Sequence, residues 1–204
     1  MKGLRHLNNV ATSSLVGFPQ SQPNLKETHA AINLAIDGSE ACLRALAFGC
    51  KHLVNPKRDR VTLLSVGELD LDVSDVMMEA FDSAISLIGV DADNSMKHAK
   101  TRYALQIAKQ TLLKAEEALH GHFLDESTRG ADHVFYRLCG LASATPQDAI
   151  AGFMNAVSME HDCENAVLVV GSRGMGTVSR LLVGSTTDYL LHNCVGGCTL
   201  VIVK

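Results

Sequence analysis

Ala166-Val167-Leu168-Val169-Val170-Gly171-Ser172-Arg173-Gly174 is the stretch that decides the fold. Five apolar residues in a row, three of them valine, leave the segment without a polar face. A strand of that kind is covered on both sides, as in a parallel sheet with helices above and below it. The glycines behind it mark a sharp exit from the strand. The same arrangement recurs where the ordered chain begins, in Ala30-Ala31-Ile32-Asn33-Leu34-Ala35-Ile36 running into Asp37-Gly38-Ser39.

Further strands read outward from these two. Val61-Thr62-Leu63-Leu64-Ser65-Val66 is the second, His133 to Cys139 the third, and Thr199 to Val203 the fifth and last. Helical spacing separates them. Ser39 suits an N-cap, with Cys42, Leu43, Leu46, Ala47, Cys50 and Leu53 recurring behind it until Asn55-Pro56 ends the pattern. Ser95 to His120 is built of Lys, Ala, Leu, Glu and Gln, all good helix formers, and Gly121 breaks it. Thr145-Pro146 opens a helix whose apolar face is Ala149, Ile150, Phe153, Met154 and Val157, and a last helix lies around Leu181 to Asn193. Alternating strands and helices with right-handed crossovers predict an α/β fold. It is an open five-stranded parallel sheet with helices on both faces, a Rossmann-like three-layer α/β/α sandwich.

Two segments stand apart. Residues 1–28 carry no acid before Glu27, scattered apolar positions and two prolines, which predicts a flexible N-terminal arm. Its acid-poor, hydroxyl-rich bias is faintly that of a transit peptide, but Lys2 and Arg5 are few cations for one. Residues 29–204 then form a single domain interrupted by an acidic insertion at about 67–93. That insertion holds eight acids and an apolar stripe of Val76, Met77, Ala80, Phe81, Ala84 and Ile85, fitting a surface helix or lid.

Composition narrows the function. A formal net charge of -4 over 204 residues gives no reason to expect nucleic acid or a membrane surface as partner. Tryptophan is absent and Phe and Tyr are scarce, so stacking platforms for bases are not expected. Six cysteines include no C-x-x-C pair, and Cys42, Cys50 and Cys139 stand in apolar surroundings, which fits reduced thiols in a cytoplasmic protein. Cys194, Cys198 and nearby His192 surround Val195-Gly196-Gly197, which reads as a turn rather than a metal site.

Ligands of such sheets bind beyond the carboxyl ends of the strands, where the strand order reverses. The loops after the first and fourth strands qualify. The second of them reads Gly171-x2-Gly174-x9-Gly184-Ser185, with Thr186 and Thr187 entering a helix. Glycines let backbone N–H groups approach a ligand, and a helix start adds unpaired donors that favour phosphate. A tight turn plus an N-cap would use the same residues. No Gly-Lys-Ser/Thr is present, so this is not the P-loop of common NTPases. Asp37 has a simpler reading as a helix cap, and Lys97, Lys100, Lys109 and Lys114 as a solvated face.

Gly171-x2-Gly174-x9-Gly184-Ser185 resembles the G-2x-G-9x-G-(S/T) motif by which nucleotide-binding members of the universal stress protein family hold ATP. Leu34 to Glu40 is similar to that family's opening strand and its Asp-Gly-Ser. The resemblance covers about residues 30–66 and 94–204, and is strongest toward the end. It implies that Asp37 and the backbone around Ala35 meet the adenosine end, and that Val66 pairs through its backbone with the adenine edge. Gly171, Arg173 and Gly174 would line the ribose and inner phosphates. Gly184, Ser185, Thr186 and Thr187 would hold the outer phosphates, accompanied by Mg²⁺. The last strand normally follows Cys-Pro in the family, whereas Cys198-Thr199 stands here, which bears on the dimer contact that strand often makes.

The expectation is an ATP-binding (or AMP-binding) universal stress protein-like regulatory module, homodimeric, with little or slow hydrolysis. No pair of titratable groups converges on a γ-phosphate, so no general base is evident, and at most a weak ATPase is expected. A dimerising signalling module with a closed pocket is the alternative. An adenylating enzyme ranks lower, because Ser-Gly-Gly-x-Asp-Ser after the first strand is reduced here to Asp37-Gly38-Ser39.

Overall fold

The computed structural model describes residues 11–15, 30–69, 92–123, 134–159, 165–172, 185–194 and 198–204. Six strands and four helices fall within them: β1 (Ala11–Leu15), β2 (Ala30–Ala35), α1 (Glu40–His52), β3 (Arg60–Glu68), α2 (Ala92–Phe123), β4 (Phe135–Ser143), α3 (Pro146–Ser158), β5 (Asn165–Gly171), α4 (Ser185–Asn193) and β6 (Cys198–Val203). They build one sheet in the order β1-β4-β3-β2-β5-β6. The five strands from β2 to β6 are mutually parallel, as the apolar runs predicted.

Position along each strand decides which layer it feeds. Ile32, Leu34, Val61, Leu63 and Val169 meet Cys42, Ala45, Leu46 and Cys50 of α1 and Leu112, Ala115 and Leu119 of α2. Ala31, Leu64, Leu141, Ala166, Leu168 and Val170 meet Ala149, Ile150, Met154 and Val157 of α3 and Leu190 of α4. The period of two in the strands thus separates two cores on opposite faces of one sheet. Asn33 shares the second face and is fully buried, with its Nδ2 donating to the carbonyls of Ala31 at 3.0 Å and Val167 at 3.2 Å.

Three boundaries differ from the sequence reading, and each has a physical cause. β3 runs past Val66 to Glu68, so Gly67 belongs to the sheet rather than to the acidic insertion. Gly67 is there because α2 lies on it: a β-carbon would fall 1.9 Å from the carbonyl oxygen of Ala104. α2 passes through Gly121 to Phe123, since one glycine costs a helix only about 1 kcal/mol. β4 continues through Gly140, Leu141 and Ala142 to Ser143, paired with β3 along its whole length. The rest of the insertion, residues 70–91, lies outside the described residues.

A sixth strand was not anticipated. Ala11–Leu15, inside the segment read as a flexible arm, pairs antiparallel with β4, Ala11 opposite Ala142 and Leu15 opposite Leu138. Thr12, Ser13 and Ser14 gave it no apolar signature, whereas edge pairing depends on backbone groups, which composition does not reveal.

Candidate functional site

Chain order fixes where the sheet opens. β2, β3 and β4 proceed toward one edge, after which β5 and β6 return to the other side of β2. The reversal lies between β2 and β5, and α1 and α2 cover one face while α3 and α4 cover the other. Ligands of doubly wound sheets bind at the carboxyl ends of the strands that flank such a reversal, here β2 and β5, which makes this edge the candidate crevice.

The residues named from the sequence lie along this edge where they are described. Ala35 ends β2, and the ladder continues one residue further, the Ile36 N–H donating to Leu64 O at 2.8 Å. Asp37 follows on the surface. Its Oδ1 accepts from the Ser39 N–H at 2.9 Å, and Gly38 takes a φ of +81°, closing the turn into α1. Ser39 caps that helix, its Oγ accepting from the Cys42 N–H at 3.3 Å. The cap position foreseen for Asp37 is thus held by Ser39, and the Asp37 carboxylate instead bonds the turn that leads into the helix. Beside it the Cys42 thiol donates to Ser39 O at 3.0 Å. Burial raises the pKa of this thiol, with the Asp37 carboxylate pushing the same way.

Val66 stands near the end of β3, opposite Leu141 of β4, and packs toward α3 and α4. Gly171 ends β5 opposite Val203, and the next residue extends that pairing, the Ser172 N–H donating to Val203 O at 2.7 Å. Gly171 also abuts α1, where a β-carbon would meet the carbonyl carbon of Ala41 at 2.4 Å and the Cys42 nitrogen at 2.7 Å. A packing reason for this glycine exists without any ligand. Arg173, Gly174 and Gly184 lie outside the described residues.

Ser185, Thr186 and Thr187 form the first turn of α4. Ser185 and Thr186 are exposed, whereas Thr187 is buried. α4 returns the chain from the carboxyl end of β5 to the amino end of β6, so its first turn faces the crevice edge. The first N–H groups of a helix have no partner within it, and the dipole leaves partial positive charge there.

One anchor of this turn escaped the sequence reading. The Tyr189 hydroxyl donates to Asp148 Oδ1, joining α4 to the first turn of α3. That bond, more than burial, raises the tyrosine pKa. An acid in the first turn of one helix and a tyrosine in the next is the available signal, but only the fold pairs them. His192 is exposed near the end of α4, with its Nδ1 2.8 Å from Asp188 O one turn back.

Similarity to known proteins follows the same outline. The model of the Universal stress protein family matches residues 156–204, from the last turn of α3 through β5, α4 and β6. No curated protein matches the chain. Among solved structures, a universal stress protein from Archaeoglobus fulgidus superposes with a TM-score of 0.52 at 16% identity, covering 86% of this chain and 98% of that one. A universal stress protein from Lactobacillus plantarum gives 0.46 at 16% identity, covering 89% and 100%. A universal stress protein family protein from Arabidopsis thaliana, solved with AMP bound, gives 0.46 at 13% identity, covering 87% and 93%. At such identities the likeness concerns the fold.

Proposed function

We propose that this chain is an adenine-nucleotide-binding regulatory module of the universal stress protein type. The observation that carries this reading is that Ser185 and Thr186 are exposed in the first turn of the helix that follows β5, one of the two strands between which the strand order reverses. The family match across residues 156–204 supports it, because that span contains the whole Gly171-x2-Gly174-x9-Gly184-Ser185 spacing.

In this reading the first-turn N–H groups of α4 and the hydroxyls of Ser185 and Thr186 hold the outer phosphates. Gly171, Arg173, Gly174 and Gly184 line the path to them. The backbone from Ala35 to Asp37 and at Val66 meets the nucleoside. The donors present fit a polyanion: an exposed helix start with two free-standing hydroxyl side chains suits phosphate oxygens. Mg²⁺ comes with the phosphates. The role is regulatory, with hydrolysis slow or absent, in the cytoplasm.

Homodimerisation belongs to the same reading. β6 pairs with β5 on one side, and its Leu200, Val201, Ile202 and Val203 are half-buried. An apolar edge of this kind is suited to a second copy.

A nucleotide-free dimerising module is the second reading. It is favoured by Gly171, whose missing side chain is already explained by the Ala41 backbone. Equilibrium binding of labelled ATP with Mg²⁺ separates the two. The nucleotide reading expects saturable binding that Gly174→Leu and Ser185→Phe each weaken at least tenfold. Wild-type binding too weak to measure at millimolar ATP, with a dimer still forming, selects the second.

A further inference from the structure

A polar row crosses the sheet on the face that α3 covers. Asn33, Thr62 and Arg137 are register neighbours on β2, β3 and β4, the last two near the amino ends of their strands. Thr62 is 3% exposed and Arg137 is half-buried. The Arg137 Nε donates to Thr62 Oγ1 at 2.9 Å, and its guanidinium carbon lies over the Phe153 ring of α3, 5.6 Å from the centroid. A cation at that distance is attracted to the ring face, so the two contacts together orient the guanidinium plane. Both Nη groups, the fork that matches a planar oxyanion, meet no carboxylate among the described residues. The acids nearest along the chain are engaged elsewhere. Asp59, just before β3, accepts from the N–H groups of Asn55 at 2.8 Å and Ala30 at 3.4 Å, and Asp148 of α3 accepts from Tyr189.

We propose that Arg137, held in place by Thr62 and Phe153, is a carboxylate-binding site at the amino edge of the sheet. With Nε engaged by Thr62, the ligand approaches end-on, and the two Nη groups donate side by side to its two oxygens. The fork is already fixed, so little side-chain freedom is lost on binding. Half-burial also leaves the pair less screened by salt than one at the open surface. Charge selects the ligand. One guanidinium backed by an apolar ring balances the single charge of a carboxylate, whereas a phosphate near neutral pH carries more charge than this site offsets. Asn33 Oδ1, further along the row, is a buried acceptor without a partner and repels an anion, so binding is confined to the Arg137 end. The site lies at the sheet edge opposite the candidate crevice and stands independently of nucleotide binding.

NMR of the full-length labelled chain tests it, following the Arg137 Nε–H signal while sodium acetate, sodium phosphate or sodium chloride is added at constant ionic strength near neutral pH. Acetate should give a saturable shift, phosphate a weaker one, and chloride none. Phosphate held at the start of α4 moves other amides, so the two sites are read separately. Arg137→Lys keeps the charge but loses the fork, and the Thr62 and Leu138 amides should then report acetate binding about tenfold weaker. Thr62→Val should also weaken binding, and Thr62→Ser, which restores the hydroxyl, should recover it. The wild-type titration decides the matter even where a variant fails to fold. An Arg137 signal that acetate leaves unmoved, or that shifts linearly and equally with chloride, overturns the proposal. Phosphate binding more tightly than acetate overturns the choice of carboxylate, and unchanged affinity in Arg137→Lys overturns the role of the fork.

Discussion

A β-carbon on Gly171 would lie 2.4 Å from the carbonyl carbon of Ala41, so the end of β5 and the first turn of α1 meet backbone to backbone. This contact fixes the end of β5 against the helix that the Asp37–Ser39 turn opens. It also separates two uses of a glycine that sequence alone merges, close helix packing and exposure of N–H groups.

Alanine at the crowded glycines will be destabilising. Gly171→Ala and Gly67→Ala each place a methyl group inside another segment's backbone and should cost about 1–3 kcal/mol. Gly121→Ala, in α2 with nothing within 4 Å, should instead add roughly 0.5–1 kcal/mol through helix propensity. Urea unfolding midpoints give the three signs directly.

Asn33 holds the one buried side-chain oxygen without a partner among the described residues, its Oδ1. Asn33→Leu loses two donor contacts but removes that unmet acceptor, so stability should change by no more than about 1 kcal/mol. Asn33→Asp should cost about 3–5 kcal/mol near neutral pH, because the carboxylate is buried unpaired. Burial raises a carboxyl pKa, so this loss should shrink as pH falls toward the usual carboxylate range. Urea titrations at neutral and acid pH measure both variants.

The chain should lose stability at alkaline pH. Tyr136 is pushed up to about 12, first by burial and then by the Glu116 carboxylate, whose Oε1 accepts its hydroxyl at 2.6 Å. Burial raises Cys50 from 9.0 to about 11. Protons held more tightly in the folded state contribute stability below the ordinary values of these groups, and that contribution disappears as pH rises through the folded ones. Stability should therefore decline from about pH 9 to pH 12. In Glu116→Gln the tyrosinate absorbance of Tyr136 should appear at lower pH, and an unmoved titration would contradict the pairing.

Much of the fold was legible because burial on both faces removes polar residues from a strand, as in Ala166 to Val170. Helix ends marked by chemistry, such as Ser39 and Thr145-Pro146, were legible for the same local reason. What escaped depends on partners distant in sequence. β1 is a strand because β4 lies beside it, and Gly67 belongs to β3 because Ala104 lies on it. The bond from Tyr189 to Asp148 spans 41 positions. At the candidate site, the exposed turns that hold Asp37 and Ser185 were legible from local sequence, whereas the packing demand on Gly171 was not.

Backbone amide shifts of the isotope-labelled protein, followed by NMR while ATP and Mg²⁺ are added, test the nucleotide reading most directly. The reading predicts saturable shifts confined to Ala35–Ser39, Val66, Gly171–Gly174 and Gly184–Thr187, largest at the start of α4. Amides at the start of α4 that stay unmoved at millimolar ATP, or shifts concentrated at the opposite edge of the sheet, would contradict it.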